Sequence, residues 1–340
     1  MRTATHPATL SRRSCPAGAC TQPDDITRIG SVLFTGFQNG VGPRGQASTD
    51  GNRESTIVEF TGLGTVLHQW DIRGKCDGLT ASPATGLVIA TVNQDAHSSL
   101  YTINPFTRQV VHYSYNKPLP HFGGTDAISF DNGIMLISAS APGTTGAPAP
   151  KPTYPAVYVV TLDRANRVAY IRALFFDESH ATAANGRHAG HPVKLGLTDP
   201  GSNEVVPAVA PRFPGDFMLA SQGDKEQIYV HGAGTRHHHL WALDLSQSVD
   251  DTAWVTASAG VLFVTDLDAD TVSVILGSFV PGTAFVTVTP CDANHAPATC
   301  PAPGFPASYL GTLNMFTGSI TRAPIRGAGL EPQGMIFAAF

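Results

Sequence analysis

The sequence predicts an all-β chain folded as a single β-propeller, and three observations carry that prediction. The stretch CDGLTASPATGLVIATV, from Cys76 to Val92, sets an acid, a small residue and an apolar residue before a Pro/Thr/Gly turn and a β-branched apolar run. That pattern is a strand, a tight turn and a second, more buried strand. It returns from Thr125 as TDAISFDNGIMLISA and from Asp250 as DDTAWVTASAGVLFVTD. Each copy is followed by a second hairpin: SLYTINPFTRQVVHYSY from Ser99, AVYVVTLDRANRVAYIRAL from Ala156 and SYLGTLNMFTGSITRAPI from Ser308. A repeat of roughly 45 residues carrying about four strands is the signature of propeller blades, which bury their faces only by packing around a ring.

Composition agrees with many tight turns and few helices: 34 Gly and 26 Pro in 340 residues, with 14% charged. A net charge of −5 gives no electrostatic footprint for nucleic acid. The apolar runs are strand-sized, so no membrane span is expected. A closed ring hides its own edges, and a monomer is expected.

Along the chain, residues 1–25 are Pro/Ser/Thr/Arg-rich and read as a disordered N-terminal segment. Residues 26–340 read as one propeller domain. Ser31 to Phe37, SVLFTGF, matches the second strand of the repeat and lacks a first. Pro332 to Phe340, PQGMIFAAF, matches a first strand with nothing after it. The expectation is that the C-terminal strand pairs with the N-terminal one and so closes the ring. Blade two spans Asp77 to Tyr115, and blade three spans Asp126 to Leu174 with an insertion from Ala141 to Pro155. Phe175 to Pro200 fits no strand template and reads as a short helix or a lid-like loop. After Asp251 the hairpins Thr271 to Thr289 and Ser308 to Ile325 give five blades if they form one unit and six if they form two. The usual blade size favours six.

Five cysteines bear on the compartment. Cys15/Cys20 and Cys291/Cys300 bracket short loops that a disulfide can close, leaving Cys76 over. Paired loop cysteines favour an oxidising, extracellular setting, although no apolar signal segment is visible in residues 1–25.

The starts Asp77-Gly78-Leu79, Asp126-Ala127-Ile128 and Gln333-Gly334-Met335 precede a turn and an apolar strand. In this the chain resembles the broad superfamily of SMP-30/gluconolactonase-like, NHL-like and YncE-like propellers, and uncharacterised secreted propellers of actinobacteria. The resemblance covers most of residues 26–340. It implies a propeller, and its metal-dependent hydrolases imply a Glu, two Asn and an Asp around one divalent ion. Asp77, Asp126 and Asp251 sit at comparable repeat positions, but the Glu after the N-terminal strand is not evident.

Propeller geometry brings residues at the start of each innermost strand together around the channel. Asp77, Asp126, Asp251 and Gln333 therefore form the candidate metal set, with Asn203 or Glu204 standing for the fourth blade. Gln38, Asn93, Gln222 and Asp266 form a candidate outer ring. Such oxygen donors suit calcium or magnesium, and without a cation the clustered acids would raise one another's pKa. His121, five residues before Asp126, is the candidate general base, and Asp126 a second candidate catalytic group. The bland counterpart is an Asp that hydrogen-bonds a loop entering a strand. His237, His238 and His239 are consecutive, so strand alternation sends them to opposite faces. His180, His188 and His191 lack ligand spacing, and Asp266, Asp268 and Asp270 lack the later Gly and Glu of a calcium loop. No GxSxG elbow occurs. Two functions follow: a secreted propeller binding a small molecule or protein partner on its channel face, or a metal-dependent lactonase-like or esterase-like hydrolase or lyase.

Overall fold

The computed structural model describes residues 2–3, 20–94, 97–121, 123–140, 154–289, 308–325 and 329–340. Its strands fall into six antiparallel four-stranded groups, numbered here 1 to 6, in a β-propeller ring. Group 1 contains Pro23–Ile29, Val32–Phe37, Glu54–Thr61 and Val66–Arg73. Group 2 contains Lys75–Ala81, Val88–Asn93, Ser99–Ile103 and Val110–Tyr115. Group 3 contains Gly124–Asp131, Ile134–Ser140, Pro155–Asp163 and Val168–Phe176. A short parallel contact, Val168 to Ser114 and Ala169 to Tyr115, joins the outer edges of groups 2 and 3. Group 4 contains Pro200–Val205, Phe217–Ser221, Glu226–His231 and His239–Asp244.

The last two groups are interleaved. Val249–Trp254 is the innermost strand of group 5, but its neighbour is Ala284–Val288, followed outward by Tyr309–Leu313 and Ile320–Arg322. Between them the chain crosses over to lay down Gly260–Asp266 and Thr271–Leu276 in group 6. It returns at the end to insert Pro332–Ala339 as the innermost strand of group 6, and Arg2–Thr3 pairs on the outside of Thr271–Leu276. Each innermost strand touches those of both neighbours, and the sixth touches the first, which closes the ring.

Alternation explains why six groups need one another. In Val88–Asn93, Val88, Ala90 and Val92 pack with Phe34, Ile57 and Trp70 of group 1. Ile89 faces the other way, onto Ile128 and Ile137 of group 3. In Phe217–Ser221, Phe217 and Leu219 pack toward group 3, while Met218 and Ala220 pack toward group 5. Six apolar clusters result, one at each junction between neighbours. Each large side chain withdrawn from water in them contributes about 2 kcal/mol.

Four expectations are corrected. Pro332–Ala339 pairs with Gly260–Asp266, not with Val32–Phe37, which takes Pro23–Ile29 as its partner. The segment expected to be disordered therefore supplies strands at Arg2–Thr3 and Pro23–Ile29; Pro23 occupies the first strand position, where its missing N–H does least harm. The DDTAWVTASAGVLFVTD stretch is not a hairpin, because its two strands belong to different groups. Phe175 to Pro200 holds one short helix, the 3-10 turn Gly186–His188, as one of the two expectations had it, but no lid: His180–Ala183 and Pro192–Lys194 extend group 4 at its outer edge, beyond His239–Asp244. The insertion from 141 and the cysteines Cys15, Cys291 and Cys300 lie outside the described residues, whereas Cys76 is free and buried. Among the described residues no helix is long and apolar enough to cross a membrane.

Candidate functional site in the central cavity

The innermost strand of every group carries a β-bulge at the same place. The extra residues are Asp24 and Asp25, Asp77, Asp126 and Ala127, Gly201 and Ser202, Asp250 and Asp251, and Gln333 and Gly334. A bulge sets two residues against one, breaks the alternation and re-aims side chains. Here it turns polar side chains off the apolar junctions and into the central cavity.

Hydroxyls opposite the bulges hold them in shape. Thr91 Oγ1 accepts the Gly78 N–H at 2.9 Å and donates to the Asp126 carbonyl of the next group at 2.6 Å. Thr265 Oγ1 accepts the Gly334 N–H at 2.8 Å and donates to the Asp24 carbonyl at 2.6 Å. Thr287 Oγ1 accepts the Asp251 N–H at 2.7 Å. The small residue after the acid is needed because a neighbouring backbone passes over it: a Cβ on Gly78 would lie 2.4 Å from the Asp126 carbonyl oxygen. On Gly334 it would lie 2.4 Å from the Asp24 carbonyl oxygen.

The cavity encloses about 420 Å³, and eight carboxylates and one ammonium line it. One set is Asp24, Asp77, Asp126 and Asp250 with Lys75. Asp77 is fully engaged: Lys75 Nζ lies 2.8 Å from Oδ1, Gln38 Nε2 donates to Oδ1 at 2.7 Å, and Asn93 Nδ2 donates to Oδ2. Burial and the Asp77 charge push the Asp24 and Asp126 carboxyls well above the usual range, against the pull of Lys75. Burial alone would lower the Lys75 pKa, but Asp77 and Asp24 more than offset it and the ammonium is held charged.

The second set is Asp25, Glu204 and Asp251. Asp25 accepts the N–H groups of Ile26 and, across the junction, Leu79, each at 2.6 Å. Asp251 accepts Thr252 N–H at 2.7 Å and, across the next junction, Met335 N–H at 2.6 Å. Even so, burial pushes Asp25 up to about 7. Glu204 is pushed to about 8 by burial and the Asp25 charge, and Asp251 well above its usual value by burial and the Glu204 charge.

Asp77, Asp126, Asp251 and Gln333 therefore all reach the cavity, as do Asn93, Asn203, Glu204 and Gln222. His121 does not. It is buried against group 3, where Nε2–H donates to the Gly124 carbonyl at 2.6 Å and Nδ1 accepts from the Tyr158 hydroxyl at 2.5 Å. Burial lowers its pKa to about 4, so the expected general base is a neutral brace for the loop into Gly124–Asp131. Asp266 caps a turn, accepting Ala269 N–H, and Asp270 accepts Gln22 N–H at 2.7 Å. Asp24, Asp25, Lys75, Asp199 and Asp250 complete the lining without having been anticipated as site residues.

The four expected metal ligands do not fit one divalent ion. Three donors saturate Asp77, and two backbone N–H groups take one Asp251 oxygen each. Among the described residues no three His, Cys, Asp or Glu side chains are grouped as one ion's ligands would be.

No protein-family model matches the chain, and no curated protein matches it. Solved structures similar to it include a periplasmic gluconolactonase from Pseudomonas aeruginosa, 12% identical, with 93% of this chain and 88% of that one covered and a TM-score of 0.46. A protein from Lactobacillus plantarum is 10% identical over 93% of this chain and 88% of that one, with a TM-score of 0.47. An auxiliary nutrient binding protein from Bacteroides thetaiotaomicron is 12% identical over 64% of this chain, with a TM-score of 0.38. This chain spans 45% of that protein's length, and 66% of Kuenenia stuttgartiensis hydrazine synthase.

Proposed function

We propose that the protein is a ligand-binding propeller that takes a small molecule into its central cavity. One observation carries this reading. At the centre of the ring lies a cavity of about 420 Å³ lined by eight carboxylates, the Lys75 ammonium and the polar residues Gln222 and Gln333. The volume lies within the usual range for small-molecule sites. Metal-dependent hydrolysis, the alternative reading, finds two of its four expected ligands, Asp77 and Asp251, already accepting from protein donors, and no step is assigned to a metal.

The test is a thermal-shift panel of amines, polyols, sugar lactones and divalent ions on the full chain and on a Ser202→Phe variant that fills the cavity. Stabilisation by one compound class, lost in the variant while its fold is retained by circular dichroism, is expected. A panel without any stabilising compound, or one that stabilises both proteins equally, would sink the reading.

A further inference from the structure

The outer half of group 2 carries a second opening, a cleft of about 490 Å³ on the side of group 1. Alternation builds it. On Ser99–Ile103 and Val110–Tyr115, Leu100 and Tyr113 pack toward group 3, which turns Ser99, Tyr101, His112 and Ser114 the other way. Tyr101 and His112 stand directly opposite each other across the strand pair, with ring centroids 4.6 Å apart, and make an aromatic wall. Arg73, the last residue of Val66–Arg73, lines the cleft with His97 and with Lys117, which lies just beyond Val110–Tyr115. The Tyr101 hydroxyl, 3.5 Å from the Arg73 carbonyl oxygen, ties the two groups together there.

We propose that this cleft is a binding site for an anionic sugar, a hydroxylated ring that carries a carboxylate or a phosphate. Charge is the first reason. The whole chain is negative, at −5, yet the described residues that line the cleft include two fixed cations and no carboxylate. Lys75, Arg108 and Lys194 are each paired with a carboxylate, whereas among the described residues Arg73 and Lys117 have no such partner. Glu54, opposite Arg73 on the neighbouring strand, lines a separate cleft. A guanidinium and an ammonium only donate, and an oxyanion is the acceptor that uses both most fully. The wall is the second reason. Burial lowers the His112 pKa below its ordinary 6.5, so at neutral pH the Tyr101–His112 pair is an uncharged aromatic surface on which the C–H face of a sugar can rest. Ser99, Ser114 and Asn116 both donate and accept, as sugar hydroxyls do. The central cavity, walled by carboxylates, repels the same ligand, so the two sites differ in kind.

Isothermal titration calorimetry on the full chain at low salt tests the site, with glucuronate, glucose-6-phosphate, glucose and inorganic phosphate as probes. Saturable binding of one or both anionic sugars is expected, weakened about tenfold by Arg73→Gln and by Lys117→Gln, with glucose silent. Which of the two sugars binds tells a carboxylate from a phosphate. Both variants change exposed side chains on different elements, which guards against one of them failing to fold. Arg172→Gln removes an exposed cation from the outermost strand of group 3 and should leave binding unchanged. Inorganic phosphate or glucose bound as tightly as the anionic sugars would overturn the sugar assignment. Equal weakening by Arg172→Gln would reduce the effect to net charge and overturn the site, as would silence from both anionic sugars or binding indifferent to both cleft variants. None of these outcomes bears on the central cavity, which the Ser202→Phe comparison tests by itself.

Discussion

The Lys75 ammonium lies 2.8 Å from the Asp77 carboxylate, within a single strand and only two positions away. Two residues apart would ordinarily place both side chains on one face of a strand and leave the intervening residue on the other. The bulge between Cys76 and Gly78 adjusts that geometry so that the pair enters the cavity while Cys76 is buried toward group 1. Lys75 is thereby the built-in counter-ion of an acidic ring.

That pairing predicts a measurable coupling. Lys75→Met should destabilise the protein by about 3 kcal/mol, because it leaves the buried Asp77 charge without its partner. Asp77→Asn added to it should cost much less than the sum of the two single changes. Urea unfolding of the four proteins gives the coupling; strict additivity would show that the ammonium does not serve Asp77.

Stability should fall as pH rises through neutrality. Asp25 and Glu204 have folded-state pKa values of about 7 and about 8, above their ordinary 3.8 and 4.5. Between about pH 4 and pH 8 the folded state therefore holds more protons than the unfolded one, so their contribution is present in acid and lost on the alkaline side. The Tm at pH 5.5 should exceed that at pH 8.5, and Glu204→Gln should shrink the difference. A Tm that rises across this interval in the parent and is unaltered in the variant would contradict the assignment.

Gly78→Ala should be among the most damaging single-methyl additions in the chain. The new Cβ meets backbone on the neighbouring strand, the Asp126 carbonyl at 2.4 Å and Ala127 Cα at 2.7 Å, and neither can swing away. A loss of about 3 kcal/mol is expected from such overpacking. Gly133→Ala provides the control, since that turn position has open space but a positive φ of 81° and should cost about 1 kcal/mol. Equal losses in chemical denaturation would mean that the inner strands part more readily than their packing implies.

Deleting residues 332–340 should abolish cooperative unfolding of the ring. The deletion removes the innermost strand of group 6, with Met335 and Phe337 from the cluster between groups 5 and 6. It also removes the N–H that Asp251 accepts across that junction. A truncated protein that keeps its melting temperature would refute the role given to this strand.

The acid-small-apolar starts were legible because two local requirements coincide there, a carboxylate for the cavity and a small residue beneath a passing backbone. This is why Asp77, Asp126, Asp251 and Gln333 all stand at the cavity wall. Asp24 and Asp25 escaped notice because they follow a polar, Pro-rich stretch and no apolar alternation precedes them. Lys75 reads as an ordinary strand-edge lysine until the bulge beside it is known. His121 was misplaced for the opposite reason: its sequence distance from Asp126 is short, but Tyr158, 37 positions away, decides where its ring points. The interleaving of groups 5 and 6 was hidden because a strand pattern states which face is apolar and not which strand lies alongside.

The interleaving also governs the order of events during synthesis. Groups 1 to 4 are each drawn from consecutive strands and can form as the chain emerges. Group 5 must wait with one strand laid down, and group 6 with three, until the later strands arrive. Pro332–Ala339 is both the last strand made and part of the cavity wall, through Gln333 and Met335. No nascent intermediate that lacks Pro332–Ala339 can therefore present a finished cavity wall.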